Sequence, residues 1–313
     1  MPEIGIVIVT YNSEPEIGAC LDAALASGAD VVVVDNASQD GTIAQAARRG
    51  VRLIANSTNR GFAAAVNQGF AALTCSYILI LNPDAVLLQG LAALRSACDL
   101  PGAAGAGGCL RDARGPQVGF MVRRLPTAAA LTMEVLLLNR LWPKNPVNRR
   151  YRCADLDYSV QCAVEQPAGA FLMLRRDAWR EVGGLDERFW PIWFEDVDLC
   201  RRLKERNYLL FYVPEAVAEH TGGHSIGRIA VERRRICWYS SLLRYSAKHF
   251  SGLAFRGLSL AVVVGSCLRM IAGLAAFEPR PTAAYGEIAR LAIGCLLFGW
   301  RDEAVVRVRK LEV

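Results

Sequence analysis

The first eighty residues alternate short apolar runs with stretches of helical periodicity. Four apolar runs predict strands, over 4–10, 31–34, 52–55 and 77–81. The patterns between them predict helices, over about 14–26, from near 40, and over 62–73. Strands that alternate with helices are typical of a parallel sheet joined by crossover helices. The sequence therefore predicts an open α/β sheet in this part of the chain.

Three of these predicted strands end in polar turns. Thr10 to Ser13 follow the first strand, residues 35–42 follow the second, and Asn82-Pro83-Asp84 follow the run at 77–81. Because open α/β sheets bind ligands at the carboxyl ends of their strands, these turns are candidate ligand sites. Asp84 is the first candidate, since it is a carboxylate placed directly after a buried strand.

The alternation weakens between residues 102 and 166. Glycine-rich, proline-rich and basic pieces surround an apolar stretch at 128–138. We interpret this segment as extra strands with an inserted helical or loop segment. Beyond it the pattern returns and predicts four elements: a strand over 169–174, a helix over 177–182 that stops at a glycine pair, a helix from Glu195, and a strand over 208–213.

From about residue 227 the chain becomes basic and then strongly apolar. Two apolar runs, over 258–268 and 288–298, fall short of the roughly 18 to 20 residues of a membrane span and are broken by Arg269 and Arg290. Helices that lie in a membrane interface, with arginines near anionic headgroups, fit this pattern better. A helical cap on the main domain or a dimer interface would produce the same pattern.

Composition narrows the class of protein. The 313 residues are 53% hydrophobic and 21% charged, enough for one sizeable domain with a smaller appendage. The net charge of +6 suits an anionic substrate or an anionic membrane surface. The basic residues are not interleaved with stacking aromatics, so no nucleic-acid binding is predicted. Ten scattered cysteines and the lack of a secretory signal pattern favour a cytoplasmic protein with reduced thiols.

Three carboxylates lie in the first turn of a predicted helix, at Glu195, Asp196 and Asp198. Acids at a helix N-terminus complement the macrodipole, so capping alone is one explanation. The preceding segment, 189–194, contains four aromatics, among them Trp193. Apolar walls raise the pKa of a carboxylate and a helix N-terminus lowers it, so a carboxylate against both can be tuned as a general base.

Two further segments are candidates for binding phosphate groups. His220 and His224 lie in a glycine-rich segment after a predicted strand, where a histidine is commonly a surface residue. Together with Asp84, such a histidine can also complete an oxygen and nitrogen set for a divalent ion that holds phosphates. Gly61 opens a predicted helix whose N-terminal amides can face an anion, although the segment fits neither G-x-G-x-x-G nor a Walker loop.

Taken in order, these segments resemble the family-two glycosyltransferases of GT-A fold, particularly their rhamnosyltransferase-like branch. The matching segments are 6–12, 33–42, 59–63, 81–84, 169–172, 183–187 and 195–198. The resemblance implies an α/β fold whose mainly parallel mixed sheet binds the nucleotide between flanking helices. It implies a catalytic domain at 1–226, with a donor-binding half at about 1–110 and an acceptor half at about 111–226. Residues 227–313 would form a helical extension.

The resemblance also implies the reaction, an inverting transfer of a sugar from a nucleoside diphosphate to an acceptor hydroxyl. Asp196 would be the base and Glu195 would orient the acceptor, or the two roles would be reversed. Asp84 and His220 would hold Mg²⁺ or Mn²⁺ against the diphosphate. The nucleotide-sugar pocket would be lined by Thr10, Tyr11, Asn12, Asp35, Asn36, Arg60, Gly61, Phe62, Asn67, Asn82 and Trp193.

One position departs from the commonest form of the family. Asn82 stands where the family's Asp-x-Asp motif often has its first carboxylate. A neutral amide is a weaker cation ligand than a carboxylate, so weak metal affinity is expected. The rhamnosyltransferase-like branch often carries this same Asn-Pro-Asp form.

The sequence thus leads us to expect a cytoplasmic enzyme on the inner face of the cell membrane. It would transfer rhamnose from dTDP-rhamnose to a lipid-linked or polysaccharide acceptor of the cell envelope. A UDP-hexose or UDP-N-acetylhexosamine donor is the alternative within the class, and a non-catalytic sugar-nucleotide-binding scaffold subunit is the alternative outside it. A Rossmann dehydrogenase is disfavoured because the glycine fingerprint after the first strand is missing. The sequence is also compatible with a homodimer.

Overall fold

The computed structural model describes residues 3–222, 230–275 and 279–300. The described residues within Met1–Leu125, Arg152–Pro191 and Glu195–Ile226 form one compact unit, and those within Pro126–Tyr151, Ile192–Phe194 and Gly227–Val313 form another. His224 and the predicted domain boundary at residues 226 and 227 lie outside the described residues.

The first unit is built on a mixed β-sheet. The strands are β1 (Ile4–Thr10), β2 (Asp30–Asp35), β3 (Arg52–Ala55), β4 (Tyr77–Leu81), β5 (Ala85–Gln89), β6 (Ala103–Asp112), β7 (Gly115–Pro116), β8 (Val122–Arg123), β9 (Cys162–Val164), β10 (Gln166–Pro167), β11 (Phe171–Arg175) and β12 (Leu209–His220). Eight run in the order β3-β2-β1-β4-β11-β6-β12-β5, with β7 on β6 and β9 on β12, while β8 and β10 pair separately.

Strand direction divides this sheet into two parts. Strands β3, β2, β1 and β4 are parallel, as the alternating pattern predicts. Strand β11 then runs antiparallel to both β4 and β6, and β12 is parallel to β6 but antiparallel to β5. The central strands β1 and β4 are buried on both faces, which explains their continuous apolar runs.

The helices divide between the two units. They are α1 (Glu14–Ala26), α2 (Thr42–Arg48), α3 (Phe62–Ala72), α4 (Leu91–Cys98), α5 (Ala128–Val135), α6 (Leu138–Leu141), α7 (Pro146–Tyr151), α8 (Arg176–Val182), α9 (Glu195–Glu205), α10 (Val231–His249), α11 (Gly252–Ala275) and α12 (Pro279–Phe298). Helices α5–α7 and α10–α12 belong to the second unit, and the others belong to the first.

Strand β6 carries three glycines in the middle of the sheet, and neighbouring atoms approach each of them closely. A Cβ at Gly105 would stand 2.3 Å from the carbonyl oxygen of Met173, and one at Gly108 would stand 2.5 Å from that of Ala216. A Cβ at Gly107 would also meet a neighbouring atom at 2.5 Å. Backbone atoms cannot move aside as a flexible side chain can, so the strand packs closely only because these positions lack side chains.

Helix α11 is longer than its apolar run suggests. It has 24 residues, and among the described residues it is the one helix long and apolar enough to cross a membrane by length and composition. Arg269 ends the apolar run but does not end the helix. Its Nη1 donates to the carbonyl oxygen of Gly265 (2.7 Å), and its guanidinium lies 5.4 Å from the centre of the Tyr285 ring. The charge is accommodated within the second unit, and the helix continues past it.

Candidate active site

The turns after β1 and β2 are joined by hydrogen bonds. The carboxylate of Asp35 accepts a bond from the Thr10 hydroxyl (2.8 Å) and another from the backbone N–H of Ser38 (2.9 Å). The N–H of Asn12 donates to Ser38 Oγ (2.8 Å), and Asn12 Oδ1 accepts from the N–H of Gln39 (2.7 Å). Because Thr10 and Asp35 are fully buried, this network fixes the shape of the sheet edge.

Asn36 connects this edge to the beginning of α3. Its side chain is buried, and its Nδ2 donates to the carbonyl oxygen of Gly61 (3.1 Å). Its Oδ1 accepts from Asn56 Nδ2 (3.0 Å) and from the N–H of Arg60 (3.4 Å). Asn36 therefore shapes the loop before α3, while Arg60 lies exposed at the surface of that loop.

The N-terminus of α3 contacts the aromatic segment before the acids. Gly61 has a φ of +87°, and a Cβ there would stand 2.7 Å from Cδ1 of Trp190. The N–H of Phe62 donates to the carbonyl oxygen of Pro191 (2.8 Å). This first amide of the helix is therefore occupied by the protein itself. The side chain of Phe62 is half-buried.

Asn67 holds the loop that follows α8. Its Nδ2 donates to the carbonyl oxygen of Leu185 (3.0 Å) and to Oε1 of Glu187 (2.9 Å). Its Oδ1 accepts from the N–H of Leu185 (3.0 Å). The amide is thus bonded to the protein itself, and Asn67 shapes the site through the loop that it holds.

Asp84 and His220 come together where β4 ends. Strand β5 begins at Ala85 and pairs antiparallel with β12, which places Ala85 opposite His220. This pairing brings His220 Nε2 to 3.5 Å from Asp84 Oδ1, with side chains only 4% and 8% exposed. His220 is the last residue of β12, so the expectation that it lies after the strand is wrong.

These two side chains have the chemistry of a divalent-cation site that uses few protein ligands. A carboxylate oxygen suits Mg²⁺ and Mn²⁺, and an imidazole nitrogen suits transition metals. The part of the chain that the structure describes contains no cluster of three or more histidine, cysteine or acidic side chains that could hold a metal. Because Mg²⁺ commonly takes substrate phosphates and water as its remaining ligands, the pair fits an ion bound together with a diphosphate.

A short segment links the turn of Asp84 to the acidic end of α9. The N–H of Asn82 donates to the carbonyl oxygen of Ala170 (3.0 Å), and the N–H of Gly169 donates to Asp196 Oδ2 (3.2 Å). A Cβ at Gly169 would stand only 3.0 Å from Asp196 Cβ, so a glycine permits this approach. Two adjacent residues therefore connect the two candidates: Gly169 bonds to the candidate base, and Ala170 bonds to the turn that carries Asp84.

The environment of Asp196 favours its uncharged form. Burial raises the pKa of Asp196 above its ordinary value, and the N–H groups of Gly169 and Val197 and the charge of Arg123 lower it only in part. The Val197 bond is 2.8 Å long. A carboxylate whose pKa is raised in this way holds a proton more strongly and is better matched to general-base catalysis near neutral pH.

The neighbouring carboxylates differ from Asp196. Glu195 is buried, with 4% of the residue exposed. Asp198 is fully buried and accepts a bond from Arg202 Nε (2.7 Å), while Arg202 also donates to the carbonyl oxygens of Val182 and Gly184. Asp198 therefore secures α9 against the end of α8, which leaves Glu195 and Asp196 as the candidates for chemistry.

The other two aromatic candidates, Tyr11 and Trp193, lie in different units. Tyr11, half-buried, follows β1 in the first unit. Trp193 is also half-buried, and it belongs with Phe194 to the second unit. There the ring of Phe194 lies 6.0 Å from Trp238 and 5.5 Å from Tyr245.

Three residues that support the site were not identified from sequence. Ser38 bonds to both Asp35 and Asn12. A serine shortly after an aspartate is common in turns, so the motif after β2 contained this signal. Gln117 bonds to His220, and the ring of Phe120 stacks on the ring of His220. Both come from the segment without a periodic pattern, where no sequence signal was available.

Comparison with known families identifies the class. The family model described as glycosyl transferase family 2 matches residues 5–179, and a model described as the N-terminal domain of galactosyltransferase matches residues 149–222. The chain belongs to glycosyl transferase family 2 and is a glycosyltransferase. It is 34% identical over 241 residues to the N-acetylglucosaminyl-diphospho-decaprenol L-rhamnosyltransferase of Mycobacterium tuberculosis, covering 71% of this chain and 77% of that enzyme. The resemblance to the rhamnosyltransferase-like branch is thereby confirmed.

Solved structures confirm the fold. The mannosyltransferase PcManGT from Pyrobaculum calidifontis, in complex with GDP-Man and Mn²⁺, aligns with a TM-score of 0.53 and 17% identity over 96% of this chain and 88% of that one. Glucosyl-3-phosphoglycerate synthase from Mycobacterium tuberculosis aligns with a TM-score of 0.51 and 14% identity over 79% of this chain and 80% of that one. At these identities the similarity establishes the GT-A type of mixed sheet flanked by helices.

Proposed function

We propose that this glycosyltransferase moves rhamnose from dTDP-rhamnose, with inversion, to a hydroxyl of a lipid-linked sugar acceptor in the synthesis of a cell-envelope glycan. The observation that carries the proposal is the position of Asp196, held by the segment that also bonds the turn of Asp84. The related mycobacterial enzyme is named for rhamnosyl transfer to N-acetylglucosaminyl-diphospho-decaprenol, which supports this donor sugar and a lipid-linked acceptor.

In the proposed reaction the acceptor hydroxyl attacks the anomeric carbon from the side opposite the diphosphate. Asp196 accepts the hydroxyl proton as the new bond forms, and its raised pKa suits that step. A single displacement of this kind inverts the anomeric configuration. Glu195, adjacent and buried, orients the acceptor, and the exchange of these two roles is the alternative.

We further propose that Asp84 and His220 hold Mg²⁺ or Mn²⁺. When bound, such an ion neutralises the charge that develops on the diphosphate leaving group. Asp84 supplies the carboxylate, and the neutral Asn82 adds no charge, so the affinity for metal without nucleotide is expected to be weak. The PcManGT structure, with its GDP-Man and Mn²⁺, is consistent with such a site.

The donor is tested with a panel of nucleotide sugars. The full-length protein is incubated with a lipid-linked N-acetylglucosamine acceptor and dTDP-rhamnose, UDP-glucose, UDP-galactose or UDP-N-acetylglucosamine, and products are measured by mass spectrometry. We expect transfer from dTDP-rhamnose to exceed the others. Preference for a UDP-sugar would overturn the donor assignment. Binding of nucleotide sugars without any transfer or hydrolysis would favour the scaffold subunit.

We also propose that α11 contacts an anionic membrane surface. Five large aliphatic side chains on it are between 44% and 65% exposed: Leu260, Val264, Leu268, Ile271 and Leu274. Their spacing of three or four residues places them on one face of the helix. Lys248 and Arg256 are exposed near the start of this helix and carry the charge that anionic headgroups attract.

Replacing both Leu268 and Ile271 by serine is expected to weaken binding to phosphatidylglycerol-containing vesicles by roughly ten- to a hundredfold, because less apolar surface is buried. Vesicle co-sedimentation measures the effect. The matched control replaces the exposed Leu25 and Leu88 of the first unit by serine and should leave binding unchanged. If the wild-type protein does not bind these vesicles and instead dimerises through this face, the membrane proposal is wrong.

A further inference from the structure

The bonds between Gln117 and His220 determine the orientation of both side chains. Gln117 Nε2 donates to the backbone carbonyl oxygen of His220 (2.8 Å), and Gln117 Oε1 lies 3.0 Å from His220 Nδ1. A backbone carbonyl only accepts hydrogen bonds, so the amide nitrogen must be the atom that faces it. The amide oxygen therefore faces the ring. Because this oxygen also only accepts, the proton must be on Nδ1.

The tautomer decides what His220 can bind at its other nitrogen. A neutral imidazole with its proton on Nδ1 has a lone pair on Nε2, which is the nitrogen 3.5 Å from Asp84 Oδ1. That distance is longer than the about 2.7–2.9 Å of a charge-assisted N–H···O bond, so the geometry does not require Nε2 to donate to Asp84. The lone pair of Nε2 and the carboxylate of Asp84 then face each other, and both can bind a cation.

Other contacts hold the ring and the glutamine in place. The ring of Phe120 stacks on that of His220, with centroids 5.3 Å apart and planes 11° apart. The N–H of Gln117 donates to the carbonyl oxygen of Leu110 (2.8 Å), and its own carbonyl oxygen accepts from the N–H of Phe120 (3.0 Å) and of Met121 (3.1 Å). The side chain of Gln117 therefore extends from a hydrogen-bonded turn.

We infer that Gln117 is a positioning residue that keeps His220 in the Nδ1–H tautomer, so that Nε2 and Asp84 present a preformed pair of ligands to a divalent cation. The role of Gln117 in metal binding rests on the proposed metal site. The tautomer itself rests on the hydrogen bonds alone. Partners that orient a metal-binding histidine through its second nitrogen act in this way, and their loss typically weakens metal binding about 10- to 100-fold.

The tautomer is measured directly in the protein without metal or nucleotide. Long-range ¹H–¹⁵N correlation spectra of the ¹⁵N-labelled protein report which ring nitrogen carries the proton. The chain has three histidines, and the His220→Asn spectrum assigns the signal of His220. We expect the Nδ1–H tautomer in the wild type. We expect the Nε2–H tautomer in Gln117→Leu.

Metal affinity gives the second readout. Mn²⁺ binding in the presence of dTDP, followed by electron paramagnetic resonance, should weaken about 10- to 100-fold in Gln117→Leu. Gln89→Leu is the matched control, since Gln89 also donates to a β12 backbone carbonyl, that of Glu215 (3.3 Å). An Nε2–H tautomer in the wild type, or one tautomer in both wild type and Gln117→Leu, overturns the inference. Absence of Mn²⁺ binding by the wild type refutes the proposed metal site instead, while the tautomer result stands.

Discussion

Replacing Asp196 by asparagine is expected to lower the rate of sugar transfer by about 10²- to 10⁴-fold and to leave donor binding nearly unchanged. Asparagine has almost the same shape, and its amide oxygen can still accept one of the bonds that Gly169 and Val197 donate. It cannot accept the proton of the acceptor hydroxyl. Initial transfer rates and calorimetric titration with dTDP measure the two effects separately.

Two further substitutions make this test decisive. Asp22→Asn is the control, because Asp22 is a surface carboxylate paired with Arg49, and it should transfer sugar at the wild-type rate. Glu195→Gln addresses the alternative assignment of roles. Full activity in Asp196→Asn together with loss of activity in Glu195→Gln would make Glu195 the base and refute the role proposed for Asp196.

The raised pKa of Asp196 also sets the direction of two pH effects. The base must be ionised, so activity should fall as the pH falls through a value above the ordinary pKa of aspartate. For stability, the folded state holds this proton more strongly than the unfolded state, so this carboxylate destabilises the fold as the pH rises through its raised pKa. Asp196→Asn should therefore have a higher Tm than the wild type at neutral pH, and the difference should vanish in acid.

Replacing Asp84 by asparagine is expected to reduce transfer by about 10²-fold or more, because the leaving diphosphate loses several kcal/mol of charge stabilisation when the ion is lost. Asp84 is the acidic member of the pair that it forms with His220. Mn²⁺ binding in the presence of dTDP should weaken in parallel, which supplies a readout that does not depend on turnover.

A second substitution in the Asn82-Pro83-Asp84 turn is expected to change Mn²⁺ affinity in the direction opposite to Asp84→Asn. Asn82→Asp adds a second carboxylate to the turn, so Mn²⁺ affinity should rise. Asp155→Asn is the control, because Asp155 pairs with Arg124 at the surface and should leave Mn²⁺ binding unchanged. An unaltered Mn²⁺ affinity in Asp84→Asn would show that the ion is held elsewhere.

Local patterns were sufficient to predict the parallel part of the fold. The predicted strands at 4–10, 52–55 and 77–81 have the observed bounds, because a parallel strand buried on both faces is apolar throughout and stops at a polar turn. The same reasoning led to Asp84, which lies one turn beyond β4. Its place at the sheet edge follows from the strand that precedes it.

The rest of the site depends on contacts between distant segments, which a local pattern does not contain. Strand β12 was predicted to end at residue 213, before a proline. In the structure its pairing with β6 shifts register between Val213 and Val217, and the strand continues to His220. A bulge of this kind accommodates a proline, which lacks the N–H of a regular ladder. Gln117 had no sequence signal because its partner lies 103 positions away.

The three glycines of β6 have a consequence for mutational scans of this enzyme. Any side chain at Gly105 or Gly108 would meet a backbone oxygen at 2.5 Å or less, so nearly every substitution there should abolish function by preventing folding. A screen that scores only product formation would rank these positions with Asp84 and Asp196. Scoring soluble yield alongside product would separate the two groups, since the glycine variants should lose both whereas Asp84→Asn and Asp196→Asn should lose only product.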